Sequence, residues 1–171
     1  EHFLWIGRAM NHVGHDGMWD EEEGVYYDVL RLPDGRATRL KVRSMVGLLP
    51  LCATTVIEPW QRERVPRLVA HFTERVRRMP ELMQGIHPMG PQHRGYGDRG
   101  MFAVVNPERL RRILGRMLDE NEFLSPYGIR SLSRYHQDHP FTFHGGQQPF
   151  EVRYLPAESD SGMFGGNSNW R

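Results

Sequence analysis

MVGLLPLCATTVI, residues 45–57, is apolar nearly all round when wound as a helix. A helix without a polar face must be covered on all sides, so this stretch predicts a buried inner helix. Pro50 would kink it unless it lies in the first turn, which leaves the start open, and Pro59 fixes the end. Residues 60–79, just beyond, carry a different pattern. Val65, Leu68, Phe72, Val76 and Met79 make one stripe, and Arg62, Arg64, Arg67, Glu74, Arg75, Arg77 and Arg78 fill the remainder. That pattern predicts an outer helix with one buried face. Its arginines could grip phosphates, but Glu63 and Glu74 interrupt them, which favours a solvated face over a nucleic-acid surface.

Further along, Asn106-Pro107-Glu108 is a helix start: a capping side chain, a proline at the first helical position, and a carboxylate beside the positive dipole end. Leu110, Ile113, Leu114, Met117 and Leu118 then form one stripe, with Arg109, Arg111, Arg112 and Arg116 outside it. Residues 2–13 read as another amphipathic helix, with Phe3, Ile6, Met10 and Val13 aligned. An all-apolar helix among one-faced helices implies two layers. The expected fold class is mainly α, with short β-hairpin insertions. One hairpin surrounds the Pro33-Asp34-Gly35 turn, where Val25, Tyr27 and Val29 alternate on one side and Leu40 and Val42 on the other. A second joins Phe141 and Phe143 to Phe150, Val152 and Tyr154 through Gly145-Gly146. Residues 80–100, rich in Gly, Pro and His, read as a long surface connection.

Composition bounds the function. The chain has 171 residues, 22 Lys and Arg against 21 Asp and Glu, and a formal charge of +1, so no global field draws nucleic acid or an anionic membrane. Lys41 is the only lysine. The one cysteine, Cys52, excludes an internal disulfide and permits cytosolic chemistry, so a cytoplasmic location is expected. No apolar run is long enough to span a bilayer. His12 and His15 stand three apart, but no second pair of ligands lies near them, and neither a metal nor a cofactor is expected. The helical pattern begins at Glu1 without a cap, and the chain stops at Trp170-Arg171 directly after its most ligand-like segment. Both ends look cut, which predicts a single partial domain over 1–171.

That segment, LPAESDSGMFGGNSNWR at 155–171, combines Glu158 and Asp160 with small hydroxyls and amides, three glycines, a tryptophan and an arginine. It is too polar for core and too aromatic for a flexible linker. Glycines let a backbone approach a ligand, while Asn, Asp and Arg supply directional hydrogen bonds. A surface loop whose glycines only make turns is the plainer alternative. Trp19, Asp20, Tyr26 and Tyr27 gather an indole, a carboxylate and two phenols at the mouth of the first hairpin, which suits either stacking on a sugar or packing of the hairpin against the helices.

DGMWDEEEGVYYDVL, LKVRSMVGLLPL, DENEFLSPYGIRSLSRYH and PAESDSGMFGGNSNWR, in this order, resemble the C-terminal catalytic domain of bacterial members of glycoside hydrolase family 63, and the mannosylglycerate hydrolases share that architecture. The resemblance implies part of an (α/α)6 barrel of the six-hairpin glycosidase type. It also implies hydrolysis of α-linked glucosides or mannosides with inversion, one carboxylic acid protonating the leaving oxygen and a second carboxylate activating water. Asn169, Trp170 and Arg171 match the family's rim motif and become the first candidates for substrate contact. Tyr127 and Arg130 follow from the Ser-Pro-Tyr-Gly-Ile-Arg turn, then Trp19, Asp20 and Asp160. Glu158 and Asp160, one residue apart on one loop, can hardly straddle a sugar ring with the roughly 6.5–9.5 Å that an inverting pair needs. The catalytic acid and base are therefore expected outside this chain, which would supply one wall of the pocket, with the remainder of its own barrel as partner. The competing expectation is a non-catalytic helical interaction module that uses its arginine-rich faces.

Overall fold

A computed structural model describes residues 2–12, 14–78, 95–145 and 148–155. Among them the chain forms four α-helices, short 3-10 turns and five two-stranded antiparallel sheets. The expectation of a mainly α fold belonging to an (α/α)6 barrel is thereby corrected: the architecture is mixed α/β, built from successive hairpins. In order come α1 (His2–Met10), β1 (Trp19–Asp20), β2 (Val25–Tyr26), β3 (Asp28–Arg31), β4 (Ala37–Leu40), a 3-10 helix (Met45–Cys52), β5 (Thr54–Ile57), α2 (Pro59–Arg64) and α3 (Pro66–Arg77). After them stand β6 (Gly100–Ala103), α4 (Pro107–Met117), β7 (Leu124–Ser125), β8 (Gly128–Ile129), a 3-10 turn (Arg134–Gln137), β9 (Phe141–Phe143) and β10 (Phe150–Val152).

The correction begins at residues 45–57. Pro50 cannot donate an α-helical hydrogen bond, and the run Thr54-Thr55-Val56-Ile57 is β-branched throughout, which disfavours helix and suits a strand. The chain therefore winds as a 3-10 helix to Cys52, closes with Ala53 N–H on the Pro50 carbonyl at 3.1 Å, and extends into β5. With three residues per turn, Met45, Leu48 and Leu51 share a face, and Leu48 and Leu51 enter the core. Val46 and Leu49 stay about half exposed, at 52% and 49%. A helix of period 3.6 would have needed cover on every side; this one buries Leu48 and Pro50 and leaves the Val46-Leu49 face open.

The helix expected over 60–79 is two helices. Pro66 pushes Val65 out of the helical region, to φ −131° and ψ 52°, and then serves as the first residue of α3. Helix α2 starts with Glu58 and Gln61 bonding reciprocally to each other's backbone N–H groups. The start of α4 follows its sequence signature, with the Asn106 side chain accepting from Arg109 N–H at 2.8 Å.

Both expected hairpins form. β3 and β4 pair from Asp28↔Leu40 to Arg31↔Ala37, and Gly35 takes φ +85° in the turn. β9 and β10 pair Phe141 with Val152 and Phe143 with Phe150. A further hairpin, β1–β2, turns through Glu21-Glu22-Glu23-Gly24 with Gly24 at φ +69°, where a Cβ would lie 2.7 Å from the Arg112 guanidinium. The larger core joins Trp19, Tyr26, Leu48, Val105, Ile113 and Phe123, and a smaller one joins Leu132, Val152 and Tyr154. No helix among the described residues is long and apolar enough to cross a membrane.

Candidate functional site

The region that the fold organises most tightly is a set of ion pairs between the two hairpins at 19–43 and the segment 116–136. Strand alternation supplies its cations. In Arg39-Leu40-Lys41-Val42-Arg43 the even position 42 packs on the Leu132 cluster, while the odd positions carry their charges to carboxylates. The β1–β2 turn supplies the acids. Asp20 Oδ1 accepts from the N–H groups of Glu22 and Glu23 at 3.1 and 2.9 Å, which fixes the turn, and Oδ2 meets Arg39 Nη1 at 3.3 Å and Lys41 Nζ at 3.1 Å. Glu23 accepts from Lys41 at 2.7 Å, from Arg43 Nη2 at 2.8 Å and from the Tyr27 hydroxyl.

Arg43 continues inward. Its Nη1 lies 2.6 Å from Glu122 Oε1, and its guanidinium stacks 3.7 Å from the centre of the Tyr135 ring. Glu122 also accepts from Arg116 and from the Ser133 hydroxyl. A buried charge is tolerable only with such partners, because an unpaired one would lose its hydration for nothing in return. His136 completes the region. Its Nε2 accepts from the Arg43 backbone N–H at 2.8 Å, so Nδ1 carries the proton and donates to the His139 carbonyl at 2.8 Å.

Burial alone would raise the Asp20 and Glu23 carboxyls, but their donors outweigh it. For Asp20 the Glu23 N–H and the Lys41 ammonium bring the pKa below the ordinary carboxylate value. For Glu23 the hydrogen bonds from Lys41, Tyr27 and Arg43 bring it down to about 2. The Lys41 ammonium is stabilised in turn, chiefly by its bond to Glu23, and its pKa is raised. Burial pushes the Tyr27 phenol up and the His136 imidazole down. At neutral pH this assembly holds fixed charges: Asp20 and Glu23 cannot donate a proton, and Lys41 is not a free amine nucleophile.

Above the ion pairs opens a cleft of about 860 Å³, lined by Gly14, His15, Trp19, Asp20, Glu21, Glu22, Ala37, Thr38, Arg39, Lys41 and Phe141. Its rim mixes carboxylates, a hydroxyl and cations, and aromatic carbon stands below and beside them. Glu21 is steered by Arg112 Nη1 at 2.6 Å, and Glu21 Oε2 accepts the Trp19 indole N–H at 2.7 Å. Among the described residues no group of three or more His, Cys, Asp or Glu side chains is arranged to hold a metal ion. His12 instead faces Asp16 at 3.2 Å.

Of the residues singled out from the sequence, the fold brings Trp19 and Asp20 to the cleft. Trp19 is only 3% exposed, packed edge-on to Tyr26 at 4.9 Å with the Arg109 guanidinium 4.6 Å from its ring, so packing rather than stacking on a ligand occupies the indole. Arg130 and Tyr127 do not line it. Arg130 is buried and donates to the carbonyls of Glu120, Glu122 and Leu124, holding that turn in shape. Tyr127 stands 89% exposed between β7 and β8. Asp160, Asn169, Trp170 and Arg171 lie outside the described residues. Sequence reasoning missed Glu23, Arg39, Lys41, Arg43, Glu122 and His136. The odd-position cations of residues 39–43 were a readable signal for part of this set; Glu122, distant in sequence from Arg43, had none.

No family model matches the chain, and no solved structure matches it. It is similar to an uncharacterized protein of Saccharomyces cerevisiae, YMR196W, at 41% identity over 185 aligned residues that include the whole chain. The chain spans about 17% of that relative's length. These findings overturn the resemblance to glycoside hydrolase family 63: its motifs find no matching family, and the hairpin-rich fold is not a six-hairpin barrel.

Proposed function

We propose that this chain lines a carbohydrate-binding cleft and supplies one wall of the site of a longer glycoside-cleaving protein, with α-linked glucosides or mannosides as the ligands to test first. The observation that carries the proposal is the 860 Å³ cleft over the ion-paired hairpins, large enough for a small oligosaccharide and lined by groups that hydrogen-bond hydroxyls. Thr38, His15, Glu21 and Glu22 offer donors and acceptors around it, and Phe141 offers an apolar surface for sugar C–H groups. Asp20, Arg39 and Lys41 hold one another, so the rim is set before a ligand arrives, which limits the entropy lost on binding.

In this role the chain binds and orients. Glycoside hydrolysis needs a carboxylic acid kept protonated near neutral pH, and the environments of Asp20 and Glu23 act in the opposite direction. Calorimetric titration with maltotriose and α-linked mannobiose tests the proposal. Binding is expected, and Thr38→Trp, which fills the cleft from an exposed strand position, should weaken it at least tenfold with an unchanged circular dichroism spectrum. Absence of binding to either sugar, or equal affinity of the variant, would overturn it.

A further inference from the structure

Helix α3 bears apolar side chains at Leu68, Val69 and Phe72, the i, i+1, i+4 spacing of one helical face, and Val65 stands just before its first turn. Only the far end of this stripe is well covered. Phe72 meets the Phe102 ring of β6 edge-on at 4.4 Å, whereas Leu68 is 64% exposed, Val65 44% and Trp60 of the adjoining α2 55%. Scattered exposed apolar residues are ordinary, but a stripe at helical spacing that is packed at one end and open at the other is an unfinished interface.

The charge around the stripe restricts what finishes it. Residues 59–78 contain six arginines and two glutamates. Arg62 is engaged by Asp98 at 2.9 Å and Arg78 by Glu74 at 2.9 Å, while Arg64 and Arg67 are exposed in the same stretch as Val65 and Leu68. A second copy meeting this face across a two-fold axis would set arginines against arginines. Nucleic acid would match the arginines but leave aliphatic Val65, Leu68 and Val69 without apolar partners. An amphipathic helix whose apolar side is flanked by Asp or Glu satisfies both halves of the surface. The yeast relative shows where such a helix can come from, since the region like this chain is about 17% of that polypeptide.

We propose that α2 and the first turns of α3 seat an acidic amphipathic helix of the same polypeptide, lying outside residues 1–171, with its apolar side on Trp60, Val65 and Leu68 and its carboxylates on Arg64 and Arg67. This surface is separate from the sugar cleft and does not depend on it. The test uses the complete gene product with Cys52 and every cysteine outside residues 1–171 replaced by serine, and a single cysteine placed by Leu68→Cys or, as an exposed reference, by Tyr96→Cys, Tyr96 being 94% exposed. Maleimide labelling of Leu68→Cys should run at least tenfold slower than that of Tyr96→Cys. Adding Arg64→Glu and Arg67→Glu should bring the two rates within about threefold, because the seated carboxylates would then face like charge. Equal rates without the charge reversal would overturn the proposal. So would protection that survives the reversal, and so would protection lost on dilution to monomer, which would assign the face to a second copy.

Discussion

The ion-paired centre and the α2–α3 lobe are made of similar residues put to opposite use. Arg43 is 8% exposed and has two carboxylates and a phenol ring about it, whereas Arg64 and Arg67 stand at the surface of a helix. Leu48 and Leu132 are almost sealed at 5% and 0%, while Leu68 is 64% exposed on a helix of equally regular pattern. The difference is cooperative cover. Around Glu122, Arg43 from β4's continuation, Arg116 of α4 and Ser133 at the start of the 3-10 turn converge, so its charge is satisfied by neighbours in sequence and by one element far from it. The lobe meets the remainder through the Phe72–Phe102 contact, the Arg62–Asp98 ion pair and the pairing of its capping Glu58 with Arg99. A regular amphipathic pattern records that a face is meant to be covered; it does not supply the cover.

The sharpest way to break this contrast is Glu122→Ala. It leaves buried Arg43 with only Glu23 of its two carboxylates and removes the acceptor of Arg116 and Ser133, and each buried donor left unsatisfied costs about 1–3 kcal/mol. Urea unfolding should show that loss, and a loss below about 1 kcal/mol would mean that water already reaches the centre.

Acid should act next. Glu23 has its pKa lowered from 4.5 to about 2, so its contribution is complete above pH 4.5 and is lost as pH falls from there through 2. His136, also lowered from its ordinary 6.5, is neutral when folded and takes up a proton more readily when unfolded, so its contribution starts to fall below pH 6.5. Thermal midpoints should therefore decline in two steps on acidification. Glu23→Gln should flatten the lower step, on the order of 1–3 kcal/mol, and leave the upper one.

A smaller effect is expected from Asn106→Ala, which removes the cap of α4 and should cost about 1 kcal/mol in the same unfolding assay. The smallest belongs to the lobe. Leu68→Ser in the 171-residue chain should change stability by no more than about 0.5 kcal/mol, since little cover is lost. A change above 2 kcal/mol there would erase the distinction between the two regions.

The centre was legible in part. Strand alternation in 39–43 places Arg39, Lys41 and Arg43 on one side, and the acidic turn after Trp19 needs Gly24 to close, so both halves are local patterns. Their meeting with Glu122 is not local, because nothing in the composition of 116–136 ties it to Arg43. Periodicity misled at 45–57, where an apolar run fits a buried helix, a 3-10 helix or a strand until proline and β-branching are weighed. It also misled at 60–79, where one stripe crossed Pro66 and hid a break.

The sequence by itself determined the starts and stops: the Asn106 cap, the turns at Gly24 and Gly35, the break at Pro66 and the alternation along each hairpin. These depend on a few neighbouring residues whose sterics and hydrogen bonds leave one good conformation. Only the tertiary structure decided that Trp19 is packing, that Arg130 is a brace, and that Asp20, Glu23 and Glu122 hold four cations, Arg39, Lys41, Arg43 and Arg116, beneath a cleft. Those outcomes depend on which buried charge finds which partner across the chain, and the penalty for leaving one unpaired appears only when the distant segments meet.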